Sequence, residues 1–130
     1  MRILQPPGWP RPRGYANGVL AEGRLVFVAG QIGWDANGTI ASDDLVEQLR
    51  QTLANTLAVL REGGAGPQDV ARMTWYVTDK REYLARASEI GKVYRALMGR
   101  HYPAMAVVEV KALIEDRAKV EIETTAVVPR

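Results

Sequence analysis

Apolar residues are spaced along this chain in two rhythms. Leu45, Leu49, Leu53, Leu57 and Leu60 recur at steps of three or four, the period of an α-helix with one apolar face. Ser42-Asp43-Asp44 ahead of them offers capping oxygens and first-turn negative charge, and Gly63-Gly64 supplies a stop. A second helical stripe, Tyr83, Ala87, Ile90, Tyr94 and Leu97, follows Thr78-Asp79 and ends at Gly99. Glu82 stands three residues after Asp79, in the manner of a capping box. The C-terminal stretch keeps the other rhythm. Val120, Ile122, Thr124, Ala126 and Val128 alternate with Lys119, Glu121, Glu123, Thr125 and Val127, as in a strand with one face buried. Leu25 to Ile32, Met73 to Val77 and the run from Pro103 to Val110 are apolar on both sides and read as strands covered on each face. A short strand from Gly18 to Glu22 precedes them, and Asp35-Ala36-Asn37-Gly38 and Glu115-Asp116-Arg117 are turns. Residues 6–14 hold four prolines and form an extended lead-in.

The order strand, strand, helix, strand, helix, strand, strand predicts an α+β sandwich over residues 1–130, a single domain with two helices on one face of a mixed sheet. Two helices cover one face only. Met105, Val107 and Glu109 share one side of their strand, and Ala106, Val108 and Val110 the other. A strand apolar on both sides needs a second cover, and self-association is the simplest supply. A homo-oligomer is expected.

Composition narrows the function classes. An apolar fraction of 47% with 25% charged residues is that of a globular protein, and a net charge of +2 leaves no basic face for nucleic acid. With no cysteine and one histidine, His101, neither thiolate chemistry nor a metal site is expected. His101 follows a helix end, where a cation suits the macrodipole. The N-terminus lacks the apolar core of a signal peptide, and no run of about 18 apolar residues could span a bilayer. A cytoplasmic protein without metal or cofactor is the expectation.

Several segments carry a resemblance in order and spacing. They are Gly14-Tyr15-Ala16-Asn17-Gly18, Val28-Ala29-Gly30-Gln31-Ile32, the leucine helix and Trp75-Tyr76-Val77-Thr78-Asp79. Tyr102-Pro103-Ala104 through Val108-Glu109-Val110 and Val120-Glu121-Ile122-Glu123 complete the set. Nearly the whole chain resembles the RidA/YjgF family of reactive intermediate deaminases, also labelled endoribonuclease L-PSP. The resemblance implies a chorismate-mutase-like homotrimer with clefts between subunits that bind small carboxylate-bearing or enamine ligands. It also implies water attack on enamines and imines, yielding a keto compound and ammonia. Carried over residue by residue, Tyr15 lies near the cleft, Gly30 presents backbone to the ligand, and Glu121 holds the attacking water. Glu123 is its rival, because one residue is inserted in the preceding turn. Ala106 could offer backbone donors.

One position departs from the family pattern. Met105 stands where the family usually keeps an arginine, so the bidentate fork for a carboxylate is missing. Another cation substitutes, or the ligand differs, or the site no longer catalyses this reaction. Arg13, Arg24, Arg72 and Lys111 are available by type. Three functions follow: a deaminase of altered substrate range, a non-catalytic small-molecule binder using the same cleft, or a ribonuclease. Near-balanced charge and the lack of a histidine pair argue against the last. Residue by residue, plainer roles stand beside these: Glu121 on a solvated strand face, Tyr15 as a packed aromatic, Met105 as core filling. Trp9, Trp34 and Trp75 are packing or pocket-wall residues, with Trp34 a flexible wall after Gly33.

Overall fold

In the computed structural model, which describes residues 1–130, four strands form a mixed sheet in the order β3-β6-β4-β5. These are β3 (Arg24–Gln31), β4 (Val70–Val77), β5 (Ala104–Glu109) and β6 (Val120–Val128), and β1 (Arg2–Leu4) pairs with β2 (Gly18–Leu20) in a separate two-stranded ribbon. β6 is antiparallel to both its neighbours, β3 and β4, whereas β4 and β5 run parallel. A parallel pair needs a crossover, and the second helical region supplies it.

The leucine stripe forms α1 (Leu45–Glu62), and Leu45, Leu49, Leu53 and Leu60 are buried. Asp44 caps it, its side chain accepting from the Glu47 N–H at 3.1 Å. Gly63 closes it, and Gly64 follows with φ +76°, a conformation open to glycine. The helix lies over β6 and β3, and its leucines share one core with Val120, Ile122 and Ala126 of β6 and Met73, Trp75 and Val77 of β4. The α+β architecture is therefore the one the two rhythms predict.

Three helices are present instead of two. The second stripe divides into α2 (Lys80–Ala85) and α3 (Ala87–Met98) at Arg86, whose ψ of 15° departs from helical geometry. The Arg86 guanidinium bonds Asp44 at 2.8 Å and Glu89 at 2.8 Å, tying this joint to the start of α1. These bonds hold the Asp44 and Glu89 carboxyls below their usual range.

The proline-rich lead-in of residues 6–14 forms no helix or strand, as expected, but the segments on either side of it are paired. Arg2–Leu4 pair with Gly18–Leu20, and the Ala16 N–H donates to the Pro103 carbonyl at 2.9 Å. That bond fastens the segment to the β5 edge and fixes Tyr15 beside it. No helix is long and apolar enough to cross a membrane.

Candidate functional site

Met105 faces the helices. It pairs in register with Met73, packs against the core, and lines a cavity of about 440 Å³ between α2, α3, β5 and the N-terminal segment. Tyr15 lies in the same wall, together with Tyr83, Ile90, Tyr94, Tyr102 and Val107. Tyr94 stacks on Tyr102 at 5.5 Å between ring centroids, and its hydroxyl donates to the His101 carbonyl at 2.5 Å. Burial raises the Tyr83 and Tyr94 phenols above their usual range, so both stay neutral. Trp75 closes one side; its buried indole N–H has no hydrogen-bond partner. The charged residues of this wall are two arginines, Arg13 and Arg95.

Gly30 and Glu121 belong to the opposite face. The Glu121 carboxylate lies so close over Gly30 that a Cβ there would collide with it. Glycine at that position is a condition of where the carboxylate sits. Glu121 forms no side-chain hydrogen bond or ion pair, whereas Glu123 accepts the Tyr76 hydroxyl at 2.6 Å. That bond raises the Tyr76 phenol above its usual range. Ala106 is exposed on β5, in register with Thr74, on this same face.

The five residues singled out from the sequence therefore fall into two groups. Tyr15 and Met105 share the helix-side cavity; Gly30, Glu121 and Ala106 lie on the open face of the sheet. Gly30 sits on the β3 edge and Met105 on the β5 edge, with β6 and β4 between. Of the four cations named as substitutes, Arg13 reaches the Met105 cavity. Arg72 lies beside Thr74 and Glu123 on the open face, Lys111 is in the loop after β5, and Arg24 begins β3. Trp34 is not a wall of either group: it bridges Ile40, and its carbonyl accepts from Asn55. The His101 Nε2–H donates to the Val70 carbonyl at 2.6 Å and ties the chain entering β5 to the start of β4. No three His, Asp or Glu side chains converge as metal ligands.

Sequence reasoning missed Arg95 and Tyr102. Arg95 follows Ala87 and Gly91 at steps of four, beside the apolar stripe, and that spacing is the signal that could have found it.

Comparison with known proteins gives this arrangement its class. The endoribonuclease L-PSP family matches residues 10–128. A RutC family protein of Pyrococcus abyssi is 34% identical over 118 residues, 90% of this chain and 89% of that protein. A protein of Capra hircus named 2-iminobutanoate/2-iminopropanoate deaminase is 31% identical over 114 residues, 87% of this chain and 79% of that protein. A crystal structure of YyfB, a Rid family protein of unknown function from Yersinia pestis, superposes with a TM-score of 0.86 at 32% identity, covering 98% of each chain. The chain belongs to the RidA/YjgF (endoribonuclease L-PSP) family, and its relatives include imine deaminases.

Proposed function

We propose that this protein is a RidA-like deaminase that hydrolyses a reactive imine or enamine to a keto compound and ammonia. The observation that carries the reading is the Glu121 carboxylate, seated against Gly30 with no partner while the neighbouring Glu123 is engaged by Tyr76. A free carboxylate beside bare backbone can accept a proton from a water that attacks a substrate held at that backbone. The water oxygen bonds to the imine carbon and passes a proton to Glu121. The resulting carbinolamine takes a proton on nitrogen and collapses, releasing ammonia and leaving the carbonyl.

The two residue groups lie too far apart across the sheet to share one ligand within a chain. A second copy laid on the open face brings the Tyr15–Met105 side of one subunit to the Gly30–Glu121 side of another. Phe27 is 73% exposed and Leu25 57% on that face, which supports such a cover. We therefore read the working unit as a homotrimer with clefts between subunits, acting in the cytoplasm on small carboxylate-bearing or enamine ligands. Met105 in place of arginine alters the substrate range.

The test is ammonia release from iminium substrates generated in situ by an amino-acid oxidase. Acceleration by the parent chain, lost in Glu121→Gln, is the expected result. Saturable binding without acceleration across several substrates would favour the non-catalytic binder instead, a reading to which the neutral Met105 lends support.

A further inference from the structure

The cavity beneath Met105 has a composition that names a narrower ligand. Its wall is aromatic and aliphatic, it carries no carboxylate and no side-chain amide, and both its charged groups are guanidiniums. Neither Arg13 nor Arg95 enters a salt bridge or donates a side-chain hydrogen bond, so both guanidiniums beside the cavity are free to take a ligand. Arg95 folds back along α3 so that its Nη1 lies 3.1 Å from where a Cβ on Gly91 would stand. An interior helix glycine costs about 1 kcal/mol against alanine. Here it leaves the room in which the guanidinium rests beside the cavity. Met105 contributes an apolar surface where a charged group would have filled the space.

We propose that this cavity is a subsite for an acid with an aromatic body, its ring lying among Tyr15, Tyr94 and Met105 and its carboxylate gripped by Arg13 and Arg95. The inference rests on the deaminase reading for its place in a reaction, since it names the substrate class of that cleft, but binding itself is independent of turnover. Two unpaired guanidiniums beside an uncharged wall favour an anion and disfavour a cation or a neutral isostere. A volume of about 440 Å³ exceeds what a three- or four-carbon acid fills and suits a ring with a short acidic arm.

The experiment is calorimetric titration of the full chain with phenylacetate, phenylacetamide and acetate. Phenylacetate is expected to bind at least about 10-fold more tightly than either of the others, since the amide lacks one charge-assisted bond and acetate lacks the ring that the cavity buries. The double variant R13Q/R95Q is expected to lose the preference for acid over amide, while R61Q, which removes an arginine at the far end of α1, keeps it. Thermal melting checks that each variant is folded. The proposal is overturned if phenylacetate does not saturate the protein. Equal affinity for the amide, equal affinity for acetate, or an acid preference that survives in R13Q/R95Q would overturn it too. Phenylacetate binding without any imine hydrolysis sinks the deaminase reading and leaves the subsite. Hydrolysis of imino acids unchanged in R13Q/R95Q does the reverse.

Discussion

The two faces of the sheet are made by the same strands to different ends. On the helix side, Met73, Trp75, Val120 and Ile122 are almost wholly buried in one core with α1 and α3. Even the buried Gln48 is satisfied there, donating to the Ser42 and Arg117 carbonyls and accepting from the Lys119 N–H. The open side pairs exposed Phe27 and Leu25 with a free Glu121 carboxylate, a Tyr76–Glu123 bond and the unlinked Arg72. One face packs as a core within the chain and leaves open only the cavity beside Met105. The other leaves apolar and acidic side chains open to solvent, the surface on which the proposed second copy would lie. Residue alternation along β6 puts Ile122 in the core and, one position apart, the Glu121 carboxylate proposed for chemistry on the open face.

That division implies that the faces can be broken separately. The largest effect is on the open face: Glu121→Gln keeps the shape but removes the proton acceptor. It should lower imine hydrolysis about 10²–10⁴-fold with an unchanged melting temperature, measured by coupled ammonia release and by calorimetry. Glu123→Gln, whose parent residue is occupied by Tyr76, should lower it far less. On the helix side, Leu53→Ala leaves a hole in a site with no exposure. It should cost about 2–5 kcal/mol in urea unfolding while the folded fraction turns over substrate normally. A variant that lost activity without losing stability would show that the faces are not independent.

Phe27→Asp tests the cover itself. A carboxylate in the middle of the apolar open face should leave the monomer folded, because Phe27 has little packing to lose. If the proposed trimer is right, light scattering after gel filtration should show a trimeric mass for the parent and a monomeric mass for Phe27→Asp, with hydrolysis lower in the variant. A parent chain that elutes as a monomer would remove the basis for the shared cleft.

The fold was legible in the sequence because both periods are long and uninterrupted. Five leucines at helical spacing and nine residues of alternation in β6 admit one geometry each. The break at Arg86 was not legible, since its cause is a guanidinium reaching Asp44 across 42 positions. The β1–β2 ribbon was hidden for a similar reason. Arg2–Leu4 is too short to show a period, and its partner lies beyond four prolines. At the candidate site, Tyr15, Gly30, Met105 and Glu121 were singled out through the family resemblance; alternation sets the face each takes, but the separation of Gly30 from Met105 by two strands follows from strand order. Strand order depends on β6 inserting between β3 and β4, which no local spacing records. Arg95 was overlooked because a charge beside an apolar stripe ordinarily means solvent.

The smallest effect sharpens what holds the helix side closed over its cavity. Asp44 does two things: it caps α1 and it pairs with Arg86 at the α2–α3 joint. Asn caps as well as Asp, so Asp44→Asn removes the charge and keeps the cap. The pair is part exposed, with 27% and 40% of the two side chains open to solvent, so the loss should be only about 0.2–1 kcal/mol. The sign with pH separates it from a packing defect. Asp44 is held below its ordinary value of 3.8 and Glu89 below 4.5, chiefly by hydrogen bonds from Arg86. Their contribution is therefore complete above those values and fades as pH falls through the lower folded-state values, when the carboxylates take up protons. Urea midpoints at pH 7 should place Asp44→Asn below the parent, and the gap should narrow steadily from pH 5 to pH 2. A gap of constant size across that range would mean that Asp44 acts through shape and not charge. The Arg86 joint would then be held by Glu89 alone.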